Sequence, residues 1–110
     1  MAYREKILCT NFVQQVYNKN MRFEWDPAKS AANRIKHGID FTEAKDLWLD
    51  ENRIEIHLPY PVESRRIIIA KLNNKHWTAV YTMRSGNIRI ISVRRSREKE
   101  VLLYGKEKNS

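Results

Sequence analysis

Two hydrophobic periods divide the chain. Between residues 26 and 50 apolar positions recur three and four residues apart; from residue 53 to residue 94 they alternate. The first period marks helix and the second marks strand. "RFEW", just upstream, reads as a short strand. Asp26-Pro27 then predicts a helix start, with Asp as N-cap and Pro at the first helical position. Ala28, Ala31, Ala32 and Ile35 would form its apolar stripe. His37-Gly38 predicts the stop, glycine suiting the left-handed end. Asp40 and Glu43 read as a capping box for a second helix, with Phe41, Ala44, Leu47 and Trp48 on one face.

Alternation then takes over. "RIEIHL" reads as a strand broken by Pro59 and Pro61. "RRIIIAKL" is dense in β-branched residues. "HWTAVYTM" and "IRIISVR" follow, with turns at "NNK" and "RSGN". A helix over about 96 to 104 closes the pattern. The predicted class is α+β: two N-terminal helices on an antiparallel sheet of about four strands, in the order β-α-α-β-β-β-β-α.

Pleat parity assigns faces. With two-residue loops at Asn73-Asn74 and Gly86-Asn87, Tyr81 lies opposite Arg66 on one neighbour and Ser92 on the other. Arg94 falls on that same face, as do Trp77, Met83 and Ile90. The other face takes Ile67, Ile69, Val80, Ile91 and Val93 as aliphatic core, with Arg84 and Arg89 at its turn end. Two arginines from different strands are thus expected to converge on one aromatic hydroxyl.

Charge gives that convergence a direction. Lys plus Arg is 21 and Asp plus Glu is 13 in 110 residues, a net +8. Residues 1–20, read as an N-terminal extension, account for little of it: the remaining 90 carry 18 basic and 12 acidic residues, or +6. A polyanionic partner is expected. One cysteine allows no internal disulfide and no thiolate-rich zinc site. With no long apolar run and no export signal, a cytoplasmic location and no membrane association are expected. Direct DNA binding is disfavoured, because the second helix carries Asp40, Glu43, Asp46, Asp50 and Glu51 nearby.

Two longer signatures add a resemblance. "FEWDPAKSAANRIKHGIDFTEA" resembles the opening of the BrnT-like toxins of bacterial type II toxin–antitoxin systems. "YTMRSGNIRIISVRRSREKE" resembles their last hairpin. With Arg66 and the "III" strand, the likeness spans residues 21 to about 104. It implies a RelE-like fold, an endoribonuclease that inhibits translation, and a DNA-binding, BrnA-like antitoxin, so that DNA is met only through the antitoxin. Met83 departs from the pattern, standing where the family often has glutamate. That departure keeps a second reading open: a non-catalytic RNA-binding or antitoxin-binding module.

Metal-free RNA cleavage directs the ribose 2′-OH at the adjacent phosphate. It needs a base, an acid and fixed cations. Arg66 and Arg94 are the expected phosphate clamp, since a guanidinium fork can hold two phosphate oxygens. Tyr81 is expected to donate a proton or stack a base. His37 is the candidate base, as histidine titrates near neutral pH; its bland role is to favour the helix C-terminus. Arg65, Arg84, Arg89, Ser92, Arg95 and Arg97 are the expected RNA- and phosphate-binding set. Glu100 is read as solvated, and His57 and His76 as structural or exposed. No cofactor or metal is expected.

Overall fold

The computed structural model describes residues 21–58 and 65–109, with side chains as far as Lys106. The extension expected over residues 1–20 and the breaks at Pro59 and Pro61 lie outside the described residues. Within them the elements follow the expected order: β1 (Phe23–Glu24), α1 (Pro27–His37), α2 (Phe41–Ala44) continuing as a 3-10 turn (Lys45–Leu49), β2 (Ile54–His57), β3 (Arg65–Leu72), β4 (Lys75–Arg84), β5 (Asn87–Arg95) and α3 (Glu98–Asn109). The last helix starts and ends later than the sequence pattern suggests.

The sheet has five strands in the order β1-β5-β4-β3-β2. β1 runs parallel to β5, with Phe23 beside Ile88 and Glu24 beside Arg89. The other pairs are antiparallel. The expected four-stranded antiparallel sheet is therefore corrected to a five-stranded mixed one. A two-residue strand carries too little alternation to reveal its partner.

The helix ends form as their residues dictate. The Asp26 side chain accepts from Ala28 N–H at 2.9 Å. Gly38 takes φ +81° and donates its N–H to Arg34 O. Asp40 and Glu43 complete the capping box, each side chain accepting from the other's backbone N–H. Arg34 reaches across to Glu43 at 3.1 Å.

The α1 stripe is a second correction. Ala28, Ala31, Ala32 and Ile35 face solvent, Ile35 being 89% exposed. The buried positions are Ser30 and Asn33. Both are used for backbone hydrogen bonds rather than apolar contact. Ser30 Oγ accepts from Phe41 N–H at 2.9 Å and so anchors the start of α2. Asn33 Nδ2 donates to Ile39 O (2.8 Å) and Val93 O (3.0 Å), while its Oδ1 accepts from Val93 N–H (3.1 Å). It stands in for a neighbouring strand where β1 has already ended.

The α2 face is as expected. Phe41, Ala44, Leu47 and Trp48 are buried against Ile68, Ala70, Ala79, Tyr81, Ile90 and Val93. This is the main core, and it contains Tyr81. The aliphatic-core assignment to the other face is therefore reversed.

On β5 a single residue changes the faces. The Asn73-Asn74 loop has the expected two residues, both at positive φ. The second loop is Ser85-Gly86, closed by Arg84 opposite Asn87, rather than Gly86-Asn87. That shift leaves parity unchanged. A β-bulge then inserts Ile91: Tyr81 faces Ile90, but Val80 faces Ser92. Beyond the bulge every side chain changes face. Val93 turns into the core with Ile90, and Arg94 turns out beside Thr78.

α3 packs on that outer face. Tyr104 OH donates to Asp50 Oδ2 at 2.8 Å, and the same oxygen accepts from Lys71 N–H at 2.8 Å. The Tyr104 ring meets His76 edge-on at 5.0 Å. Burial and the Asp50 carboxylate push the Tyr104 hydroxyl up to about 12.

Candidate active site

Side chains from three strands form a row on the helix-covered face. The register places His57 opposite Arg66 and Arg66 opposite Tyr81. Glu55 stands two residues before His57 on the same face of β2, because successive side chains alternate. Tyr81 is only 1% exposed, yet its hydroxyl reaches the edge of the core and donates to Glu55 Oε1. The other Glu55 oxygen accepts from Arg53 Nε at 3.0 Å. Its carboxylate is thus fixed at both oxygens while the side chain remains 37% exposed.

Packing holds this geometry from behind. The Tyr81 ring sits edge-on to Trp48 at 5.1 Å, and Trp48 sits edge-on to Phe23 at 5.2 Å. Burial first, then the Glu55 charge, pushes the Tyr81 hydroxyl far above the usual tyrosine range, with Arg66 and Arg53 opposing. At neutral pH it is a fixed donor. Arg66 Nε is buried and meets no acceptor among the described residues. A buried donor of this kind is uncommon, and its charge and geometry suit an oxyanion as acceptor.

Arg94 is not part of the row. Its guanidinium binds Glu100 through two hydrogen bonds of 2.8 Å on the opposite face. Thr78 Oγ1 donates to Glu100 Oε1 at 3.0 Å, and Arg97 N–H donates to it at 2.7 Å. The Arg94 hydrogen bonds, with those from Arg97 and Thr78, hold the Glu100 carboxyl down to about 2. Glu100 is therefore not a solvated residue, its side chain being 14% exposed. The expected convergence of Arg66 and Arg94 is corrected: Arg94 and Glu100 fasten α3 to the sheet.

The other candidates scatter. His37 ends α1, beyond the Asn33 contact with Val93, and bonds to none of the row residues. Arg89 and Arg84 approach Glu24 at 3.0 and 3.5 Å. With Asn87 they tie β1 to the hairpin, and the hydrogen bonds from Asn87 and then Arg89 hold the Glu24 carboxyl below its usual range. Arg95 lies over the Trp77 ring at 5.5 Å. Ser92 lies opposite Val80, away from Tyr81. Arg65 opens β3 opposite Thr82, one residue from Arg66 and on the other face. Met83 shares the face of Tyr81 and is 40% exposed.

Sequence reasoning missed Glu55 and underweighted His57. The alternation of "RIEIHL" already set both on one face. Missing was the placement of β2 beside β3, which alone brings that face to Arg66. Among the described residues no group of three His, Cys, Asp or Glu side chains is placed to hold a metal. No helix among them is long and apolar enough to cross a membrane. The row offers a cation, a held carboxylate and an exposed imidazole side by side, a set suited to a phosphodiester.

Residues 25–100 match the sequence model of a family described as ribonuclease toxin, BrnT, of type II toxin–antitoxin system. No curated protein matches the chain.

Proposed function

Given that this chain belongs to the BrnT family of ribonuclease toxins, we propose that it cleaves RNA without a metal ion and that Arg66 is the phosphate-binding centre of the reaction. Membership brings the toxin's place in a type II system and an antitoxin as partner. The finer reading concerns this chain's own residues. RNA lies along the Arg66 end of the sheet, in a RelE-like use of the α+β scaffold. The antitoxin is BrnA-like and DNA-binding, covers this end, and carries the complex to DNA.

The carrying observation is Arg66 itself. Its Nε is buried with no acceptor among the described residues, next to a tyrosine whose hydroxyl is committed to Glu55. A phosphate oxygen would complete it, and preorganised charge of this kind usually supplies the largest catalytic term. Tyr81 acts by holding Glu55 rather than by giving up its proton. Arg65, Arg84, Arg89, Arg95 and Arg97 lie around the sheet as longer-range attraction for the RNA backbone.

Met83 keeps one alternative in view, a binding module without catalysis. Growth and RNA integrity separate the two. Induction of the wild-type chain should arrest bacterial growth and yield RNA cut at defined positions, while Arg66→Ala should do neither at equal abundance. Intact RNA during a growth arrest would favour the binding module.

A further inference from the structure

We infer that Glu55 and His57 are the general base and general acid of the site, acting on either side of a phosphate held by Arg66. The inference rests on the ribonuclease reading above and assigns the proton transfers within it.

Both residues lie on β2 and face the same way. Neighbouring same-face positions on a strand are roughly 6.6 Å apart along the chain. In an in-line displacement the attacking and leaving oxygens lie on opposite sides of phosphorus. Acid and base, each within hydrogen-bond reach of its oxygen, must then straddle the phosphate. Two groups at this spacing can do so, with Arg66 beside His57 on the adjoining strand.

The two side chains differ in how they are held. Glu55 receives hydrogen bonds from Tyr81 OH and Arg53 Nε, one on each oxygen. Those donors fix the orientation of the carboxylate, and each oxygen keeps a further lone pair for the ribose proton. His57 is exposed and forms no hydrogen bond with another described residue. Its imidazole is free to turn toward a leaving oxygen.

The step balances. Glu55 takes the proton from the ribose 2′-OH. The 2′ oxygen bonds to phosphorus and the P–O5′ bond breaks. The imidazolium of His57 gives its proton to the departing 5′ oxygen. The products are a 2′,3′-cyclic phosphate and a 5′-hydroxyl end. No oxidation, metal or co-reactant is involved. Glu55 also supplies a carboxylate to a face where Met83 offers none.

Glu55→Gln keeps an oxygen for the Tyr81 hydroxyl and tests the base without removing the contact. Its single-turnover cleavage of a short RNA should fall by about 100-fold or more, with RNA affinity unchanged. His57→Ala should slow RNA cleavage comparably. A uridine 3′-phosphate ester of 4-nitrophenol needs no protonation of its leaving group. On it His57→Ala should match the wild type, while Glu55→Gln remains slow. Wild-type rates for Glu55→Gln, or an equal deficit of His57→Ala on both substrates, would overturn the assignment and leave the ribonuclease reading standing. Failure of the wild type to cut RNA, free or on ribosomes, would overturn both.

Discussion

Removing the Asn33 amide should unfasten α1 from the sheet. Three backbone groups depend on that side chain: Val93 N–H, Val93 C=O and Ile39 C=O. The site is 7% exposed, so solvent replaces the lost partners poorly. Each buried backbone group left unsatisfied costs about 1–3 kcal/mol. Some water can enter the space left by Asn33→Ala, so the low end is appropriate, and the sum is about 3–5 kcal/mol. That is a large share of the 5–15 kcal/mol typical of a small domain. Asn33→Asp should be no milder, since a carboxylate would face two carbonyl oxygens. Urea unfolding followed by circular dichroism measures the loss directly. A thermal melt should fall by roughly 15 °C or more. The control is Ile35→Ala, two residues along and on the solvent side of the same helix, which should stay within about 0.5 kcal/mol of wild type. A loss below about 1 kcal/mol for Asn33→Ala would refute the claim that this amide closes the edge of β5.

Two ionisations report the docking of α3. The Glu100 carboxyl, ordinarily near 4.5, is held down to about 2 by Arg94, Arg97 and Thr78. Its folded pKa lies below the unfolded one, so its stabilisation is complete above about pH 4.5 and lost as pH falls toward 2, roughly 3 kcal/mol in all. Unfolding free energies measured across that window should be steep for wild type and much flatter for Glu100→Gln. Tyr104 has the opposite sign. Its hydroxyl is raised to about 12, so the stabilisation present below pH 10 fades between 10 and 12. Tyr104→Phe should lose stability at neutral pH and show a weaker alkaline decline, read by ultraviolet absorbance and denaturation together.

Local chemistry was legible wherever a residue's role is decided by its near neighbours. Asp26-Pro27, His37-Gly38 and the Asp40/Glu43 box fixed the helix ends. Asn73-Asn74 fixed a hairpin. The α2 face was readable because its buried positions are apolar. α1 was misread because it buries Ser30 and Asn33, whose value is hydrogen bonding to segments remote in sequence. Apolar spacing cannot signal that. The site was half legible for the same reason. Arg66 and Tyr81 pair through a tight hairpin, so their juxtaposition follows from loop length. Arg94 lies past the Ile91 bulge, and no residue type announces a bulge. Glu55 and His57 depend on β2 lying beside β3, and the segment joining those strands bears no pattern that says so.

The central claim is that the row at Arg66, and not the arginine pair first suggested by the pleat, carries the chemistry. The direct measurement is cleavage of a long natural RNA in EDTA by wild type, Arg66→Lys and Arg94→Lys, each shown to be folded. Lysine at 94 keeps a charge for Glu100, whereas lysine at 66 removes the guanidinium fork. The account predicts cutting by wild type, near-wild-type cutting by Arg94→Lys, and a loss of about 100-fold or more for Arg66→Lys. Full activity of Arg66→Lys beside an inactive, folded Arg94→Lys would contradict it and move the site to the α3 face.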